Sequence, residues 1–295
     1  MGGKLAIFIP AYNEERSIGS AVLSAKKYGS VFVVDDGSDD RTAQIAADAG
    51  AKVIAHGKNR GYGAALRTII EAARKAPADV FVIMDGDYQH DPAEIPLVAK
   101  PVLGGEADVA VGSRFSGKFV GSPAYRKGGI LVLNSLAGAG NGSGKMDFQC
   151  GFRAFSKKAA GKIKISESGY AGGTQMLTSA IDAGLKVGQV PVHVRYYQKE
   201  SGGALSQGAS LLAYLVEAMA LKKPLVFFGL TGALLLVCSA LLGLFVVNTF
   251  YATRVLPIGS ALLTVFTGIG GLVMVLIGIN LYTLESLLKR RERDG

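Results

Sequence analysis

The chain has 295 residues, 49% of them hydrophobic, a formal net charge of +9 and a mean hydropathy of +0.31. That length allows one large domain or two smaller ones. No nucleic-acid-binding module is legible, so the positive charge points to anionic lipid or phosphorylated ligands. The two cysteines, Cys150 and Cys238, lie far apart, one in a hydrophobic run; they imply no disulfide framework and fit a reducing cytoplasm.

In chain order, Lys4 to Ile9 is a short apolar run closed by Pro10, too short for a signal peptide and read as a first strand. A helix is predicted from Asn13–Glu15 to Tyr28, then a buried strand over Val31 to Val34 that ends in Asp35, Asp36, Gly37 and Ser38. Asp39 or Asp40 is placed to cap the next helix, Arg41 to Ala49. Lys52 to Ala55 is a third strand and Gly61 to Lys75 a third helix. Val80 to Met84 is a fourth strand, ending in two carboxylates one residue apart, Asp85 and Asp87, with Gln89 just beyond. A helix opens near Pro92, and Asp108 to Val111 is a fifth strand. Strands alternating with helices at this spacing predict a mostly parallel, Rossmann-like α/β sheet, whose ligands bind beyond the carboxyl ends of the strands. Asp35, Asp36, Asp85, Asp87, Ser113 and Arg114 all fall there.

Paired carboxylates at such a rim repel unless a cation lies between them, and oxygen ligands suit Mg²⁺ or Mn²⁺. Two nucleotide-binding motifs are excluded. Gly61-Tyr62-Gly63 has Leu66 at the third glycine position of a dinucleotide fingerprint, and GxxxxGK[ST] is absent. The two glycines are read as a tight turn into a helix. Beyond them, Arg126 to Gly138 is a glycine-spotted apolar segment expected near a membrane surface. Phe148 to Phe155 is read as a strand, Gly172 to Ala183 as a helix, Lys186 to Val194 as a strand, and Lys199 to Gly208 as a mobile loop.

Leu225 to Val247 is an uncharged run of about 23 residues, roughly 34 Å as a helix, and Ile258 to Tyr282 is a second of about 25 residues. Ala209 to Leu221 reads as an interfacial amphipathic helix leading into them. Lys222, Lys223, Lys289, Arg290, Arg291 and Arg293 flank the pair, whereas the connecting Asn248 to Pro257 carries only Arg254. The positive-inside rule then puts the large N-terminal domain and both termini in the cytoplasm. The expected organisation is a catalytic domain over 1–205, an interfacial helix over 206–224, two membrane-spanning helices over 225–284 and a basic tail over 285–295. Small residues at Ser239 and Gly243, and at Thr264 and Gly268, predict close packing of the two helices or of copies in a homo-oligomer.

Five motifs occur in order: IPAYNEE (Ile9 to Glu15), VVDDGSDD (Val33 to Asp40), MDGDYQHDP (Met84 to Pro92), GSRF (Gly112 to Phe115) and CGFRAF (Cys150 to Phe155). Together they resemble family 2 glycosyltransferases of GT-A fold, in particular the polyprenyl- or dolichyl-phosphate mannose or glucose synthase branch, over about the first 200 residues. The resemblance implies that Pro10, Tyr12, Glu14 and Asp36 hold the nucleobase and ribose of a sugar nucleotide. It implies that Asp85, Asp87 and Gln89 hold the metal and diphosphate, with Asp87 essential to catalysis. Arg114 and Arg126 match arginines near the donor diphosphate and the acceptor phosphate, where a planar guanidinium offers parallel donors. Arg195 and Lys199 are the alternatives for a further basic residue on the acceptor phosphate. Asp147 and Arg153 are expected to shape the pocket, either as an internal ion pair or directly, and His90 to support the acidic pair.

Gln175 stands where many family members carry the carboxylate that deprotonates a hydroxyl. A phosphate acceptor is already anionic and needs no base, so the glutamine favours a lipid-phosphate acceptor; the plainer reading is that it orders a loop. The expected activity is inverting, metal-dependent transfer of a hexose from a GDP-mannose- or UDP-glucose-type donor to dolichyl or polyprenyl phosphate at the membrane. The alternatives are transfer to a saccharide or glycolipid hydroxyl, and a non-catalytic membrane scaffold. Processive polysaccharide synthesis is excluded, because its QxxRW motif needs tryptophan and the chain has none.

Overall fold

The computed structural model describes residues 4–87, 89–114, 119–120, 146–167, 169–195 and 224–294. The chain divides into two compact units, Met1–Tyr214 and Leu215–Gly295. In the first, β1 (Leu5–Ala11), β2 (Ser30–Asp35), β3 (Lys52–Ala55), β4 (Val80–Ile83), β5 (Val109–Ser113), β7 (Arg153–Ser156) and β8 (Val187–Pro191) form a seven-stranded sheet ordered β3-β2-β1-β4-β7-β5-β8. Every pairing is parallel except those of β7, which runs antiparallel between β4 and β5. A two-residue strand β6 (Phe119–Val120) pairs with β9 (Val194–Arg195).

The helices are α1 (Ile18–Ala25), α2 (Thr42–Asp48), α3 (Tyr62–Lys75), α4 (Ile95–Leu103, preceded by a 3₁₀ turn over Pro92–Glu94), α5 (Lys157–Lys162) and α6 (Ala171–Asp182). β4 is buried at all four positions, as expected of a central strand covered on both faces. The core beneath it is aromatic: Phe8, Phe81, Phe148, Phe152 and Phe155 are fully buried, with Phe8 stacked on Phe32 at 4.8 Å and Phe81 against Phe155 at 5.4 Å.

Among the described residues each predicted strand and helix has a counterpart, with shifted ends. The largest difference is at Phe148 to Phe155. Only Arg153–Ser156 is strand, because residues 148–150 form a turn that buries Phe148 and Cys150 without ladder pairing. The strand predicted over Lys186 to Val194 is likewise split into β8 and β9. Gly61 has φ 90° and opens α3, a conformation favouring glycine. Gly63 lies against the backbone of residues 167–172: its N–H donates to the Gly169 carbonyl at 3.1 Å, and a Cβ there would sit 2.1 Å from the Glu167 carbonyl oxygen. The turn-and-packing reading of these glycines therefore holds.

The second unit is a hairpin of α7 (Pro224–Thr253) and α8 (Ile258–Asp294). Pro224–Thr253 and Ile258–Leu284 have mean hydropathies of 2.5 and 2.4 and are long enough to cross a bilayer. α8 continues beyond that apolar stretch into the basic segment. The helices meet along small residues. A Cβ on Gly232 would lie 2.7 Å from the Gly271 carbonyl oxygen and one on Gly268 2.9 Å from Ser239 Oγ, while that hydroxyl donates to the Thr264 carbonyl at 2.8 Å. The expected small residues thus pack within one chain. With Leu, Val and Phe side chains exposed along both helices, the outer surface of this hairpin is apolar, which fits a transmembrane pair. The predicted interfacial helix lies outside the described residues.

Candidate active site

The loops after β1 and β2 are laced together by reciprocal hydrogen bonds. Asn13, at φ 55° in a conformation asparagine tolerates, receives the Asp39 N–H on Oδ1 (2.9 Å), and its own N–H donates to Ser38 Oγ (2.9 Å). Glu14 N–H donates to Thr42 Oγ1 (2.7 Å) and Glu15 N–H to Asp40 Oδ2 (3.2 Å). Asp40 also accepts from Thr42 N–H at 2.9 Å, a tight turn ahead of α2; the N-cap position is Arg41 rather than Asp39 or Asp40, and no side chain caps it. Tyr12 stands 43% exposed beside this frame, and Pro10 is buried on β1 opposite Val34. Asp36 is buried and receives His56 Nδ1 (2.6 Å), Arg60 N–H (3.1 Å) and Gly61 N–H (2.8 Å). A carboxylate has about four acceptor positions, so Asp36 chiefly fastens residues 56–61, with little capacity left for a ribose.

β4 carries its chain to the same rim. Asp85 follows two residues after the strand, and its side chain keeps 32% of its surface open. Asp87 accepts the Gln89 N–H at 3.0 Å, a tight turn that sets both side chains at the rim. Glu14 faces this pair. Burial raises its pKa above the usual carboxylate value, and the charges of Asp87, Asp40 and Asp85 raise it further, against a hydrogen bond from Ser17. Asp85 is also raised, by desolvation first, against Arg153, Arg114 and a hydrogen bond from the Tyr62 hydroxyl. A position 151 without side chain makes room for it: a Cβ on Gly151 would meet the two Asp85 oxygens at 2.5 and 2.7 Å. His90 is buried against Phe152, with its pKa pushed down to about 4 by desolvation. It is therefore neutral at pH 7, and its Nδ1 accepts the Asp85 N–H at 3.3 Å.

Asp85 and Asp87 lie close enough to Glu14 for their charges to raise its pKa, and carboxylates so placed fit a divalent cation, which favours their ionised forms. Among the described residues no three His, Cys, Asp or Glu side chains gather into an all-protein cage. Mg²⁺ commonly uses one or two carboxylates and completes its shell with water and substrate phosphates. Asp85, Asp87 and Gln89 suit that arrangement.

The arginines have partners of their own. Arg114 donates from Nε and Nη2 to the two oxygens of Asp147, each at 2.7 Å, and its backbone N–H reaches the same carboxylate at 3.1 Å. Asp147 is fully buried and Arg114 nearly so. The internal ion pair is therefore Asp147 with Arg114. Arg153 instead donates to three backbone carbonyls, of Cys150 (2.8 Å), Phe148 (2.9 Å) and Gly173. Burial pulls its pKa down, though three carbonyl dipoles and nearby acidic groups support the charge.

Gln175 is held by its own loop. Its Oε1 accepts the N–H groups of Ser166 (2.8 Å) and Glu167 (2.9 Å), and its Nε2 donates to Ser166 Oγ (2.7 Å). Both ends of the amide are occupied in ordering residues 166–167, the plainer of the two roles expected of it. Gln175→Leu is expected to destabilise the catalytic unit by about 1–3 kcal/mol, since three hydrogen bonds lose their partner. Gln175→Glu should be near neutral, because a carboxylate accepts both N–H groups and the Ser166 hydroxyl can reverse to donate. Thermal melts of the two variants followed by circular dichroism check this; equal melting temperatures would contradict it.

The rim thus gathers Glu14, Asp85, Asp87 and Gln89, with Arg114 close enough for its charge to act on Asp85. Arg126 and Lys199 lie outside the described residues, and Arg195 is described only as backbone of β9. Sequence reading missed His56, which secures Asp36; Tyr62, which supports Asp85; and the need for glycine at 151. Tyr62 and Gly151 sit inside motifs already singled out, but their partners come from other strands.

The sequence profile described as glycosyl transferase family 2 matches residues 6–164, more than half the chain. The chain is 32% identical over 213 residues to the UDP-N-acetylglucosamine–dolichyl-phosphate N-acetylglucosaminyltransferase of Methanococcus voltae, covering 64% of this chain and 85% of that one. It is 30% identical over 222 residues to the polyprenol monophosphomannose synthase of Mycolicibacterium smegmatis, covering 70% and 82% respectively. The first unit also superposes on glucosyl-3-phosphoglycerate synthase of Mycobacterium tuberculosis, solved with Mn²⁺, UDP and glucosyl-3-phosphoglycerate. That likeness has a TM-score of 0.61 at 22% identity, covers 74% of this chain and 80% of that one, and bears on the fold alone. Profile, relatives and sheet topology agree: this chain belongs to glycosyl transferase family 2 and is a glycosyltransferase of GT-A fold.

Proposed function

We propose that the enzyme transfers a hexose from a nucleotide sugar to dolichyl or polyprenyl phosphate, with inversion and with a divalent metal, at the cytoplasmic face of a membrane. The observation that carries this reading is the acidic rim of Glu14, Asp85 and Asp87, in a chain that also has two membrane-length apolar helices. Relatives named for dolichyl-phosphate and polyprenol-phosphate acceptors support the lipid phosphate, and the fold neighbour solved with Mn²⁺ and UDP supports the metal and nucleotide.

In this reading the loops after β1 and β2, with Pro10 and Tyr12, receive the nucleoside, while Asp36 holds their neighbouring segment in place. Asp85, Asp87 and Gln89 hold Mg²⁺ or Mn²⁺, which offsets the charge that develops on the departing diphosphate. An acceptor phosphate oxygen attacks the anomeric carbon from the side opposite the nucleotide. The new C–O bond forms as the bond to the diphosphate breaks, and its electron pair leaves with the nucleoside diphosphate. A phosphate monoester is anionic at neutral pH, so this attack needs orientation rather than a protein base. Arg126, with Arg195 or Lys199, supplies the acceptor-phosphate contacts in this scheme.

The test is to supply the full chain in detergent with labelled GDP-mannose, UDP-glucose and UDP-N-acetylglucosamine, dolichyl phosphate and Mg²⁺ or Mn²⁺. One donor is expected to yield a lipid-linked sugar; none doing so would overturn the reading. The topology has its own check. Cysteine introduced by Arg254→Cys, in the connection between the two helices, should react with a membrane-impermeant thiol reagent added outside intact cells. Reaction only after permeabilisation would reverse the assigned orientation.

A further inference from the structure

Two buried guanidinium groups stand near Asp85, and each is held elsewhere. Arg153 is tied to the carbonyls of Phe148, Cys150 and Gly173. Arg114 is tied side-on to both oxygens of Asp147, a carboxylate with no exposed surface. Among the described residues neither arginine forms an ion pair with Asp85. Both nevertheless lie close enough for their charges to act on it.

The sheet explains the proximity. β7 lies between β4 and β5, so Asp85 beyond β4 and Arg114 beyond β5 are two strand spacings apart, about 10 Å between backbones. Between them, Gly151 has no side chain to stand in the way, and the Asp85 carboxylate already lies against it. Loss of the Asp147 charge would leave the Arg114 guanidinium more strongly attracted to the other carboxylate its charge already acts on, Asp85, since a buried charge that loses its counter-ion is costly.

We propose that Asp147 is a positioning residue for the cation site: by holding the Arg114 guanidinium on both of its oxygens, it keeps that guanidinium off Asp85 and leaves the Asp85 carboxylate to a divalent cation. Its own placement is fixed from several sides. Asp147 N–H donates to Gln189 Oε1 (3.1 Å), and its Oδ1 accepts the Gln149 N–H (3.2 Å). Gln149 in turn donates from Nε2 to Thr174 Oγ1 on α6 (3.1 Å). An asparagine in this place would offer one acceptor oxygen where the guanidinium uses two, and would turn its NH₂ group toward a cation.

This inference rests on the reading of Asp85 as a cation ligand, and one experiment separates the two. Mn²⁺ alone, without nucleotide, is titrated into the full-length chain in detergent, and free Mn²⁺ is followed by its electron paramagnetic resonance signal. Binding by the wild-type chain that Asp85→Asn removes is the expected support for the ligand reading; no such binding overturns that reading and the inference with it. Given wild-type binding, Asp147→Asn is expected to weaken it by about tenfold or more, the scale of losing a group that orients a metal ligand.

The double variant Asp147→Asn with Arg114→Met removes the released guanidinium and is expected to return Mn²⁺ affinity to within about threefold of wild type. The melting profile of each variant is recorded beside the titration, so that loss of fold is told apart from loss of Mn²⁺ affinity in folded chain. Wild-type affinity in Asp147→Asn, or a double variant as weak as the single one, overturns the inference. Should Asp147→Asn fail to fold, the double variant decides alone, because replacing both members of a buried ion pair with neutral groups is tolerated where breaking one is not. Binding near wild-type strength then supports the inference, and weak binding overturns it.

Discussion

Asp87→Ala is expected to lower turnover by at least about 100-fold while leaving the melting temperature nearly unchanged. The asymmetry follows from its position. Asp87 is partly exposed in a turn at the rim of the sheet, outside the buried aromatic core, where it accepts the Gln89 N–H. Its charge also raises the pKa of Glu14, a repulsion that the substitution relieves. What the variant loses is a ligand for the cation that balances charge on the departing diphosphate, an effect of several kcal/mol in the transition state. Both kcat and the Mn²⁺ affinity of the full chain should fall. Unchanged activity would mean that the metal and diphosphate lie elsewhere on the rim.

Arg153→Met is expected to do the reverse and act on stability first. Three buried carbonyls, on two segments that the sequence separates, converge on one guanidinium. Methionine fills much of the volume but leaves those carbonyls without donors, at about 1–3 kcal/mol for each that finds no substitute. The effects are not additive, and a total of about 3–5 kcal/mol is expected, comparable to breaking a buried ion pair. For a catalytic unit of this size that is a fall in melting temperature of roughly 10 °C. Circular dichroism is the suitable probe, since the chain has no tryptophan. A fall of only a degree or two would show that water or another side chain already satisfies the turn.

These two cases mark where sequence reading was sufficient and where it was not. The strand ends were legible because buried strands read as unbroken Val, Ile and Phe runs, and the carboxylates that follow them mark where the chain reaches the rim. Val80 to Asp87 shows this directly. The same signal misleads at Phe148 to Phe155. Its aromatics are as buried as a strand's, yet Arg153 gathers the carbonyls of residues 148 and 150 into a turn, and the strand begins only at Arg153. Nor could the antiparallel insertion of β7 between β4 and β5 be read from a pattern of alternating strands and helices.

Side-chain partnerships were the least legible. Arg114 and Asp147 are 33 positions apart, and each looks in isolation like a ligand for substrate. Asp36 matched a donor-binding position, yet a histidine directly after β3 and two backbone N–H groups occupy most of its acceptor capacity. Gln175 carried a functional argument, but its amide belongs to the loop over residues 166–167. Motifs identify which residues reach the rim; which of them face a ligand depends on neighbours contributed by other strands.

In the proposed reaction the acceptor is a lipid phosphate rather than a hydroxyl. This is tested most directly by offering the full-length enzyme dolichyl phosphate and dolichol side by side, with the donor found active and Mn²⁺, and measuring labelled lipid. Transfer to dolichyl phosphate, with dolichol at background, is the predicted result. Transfer to dolichol, or to a saccharide hydroxyl with dolichyl phosphate left unused, would contradict it.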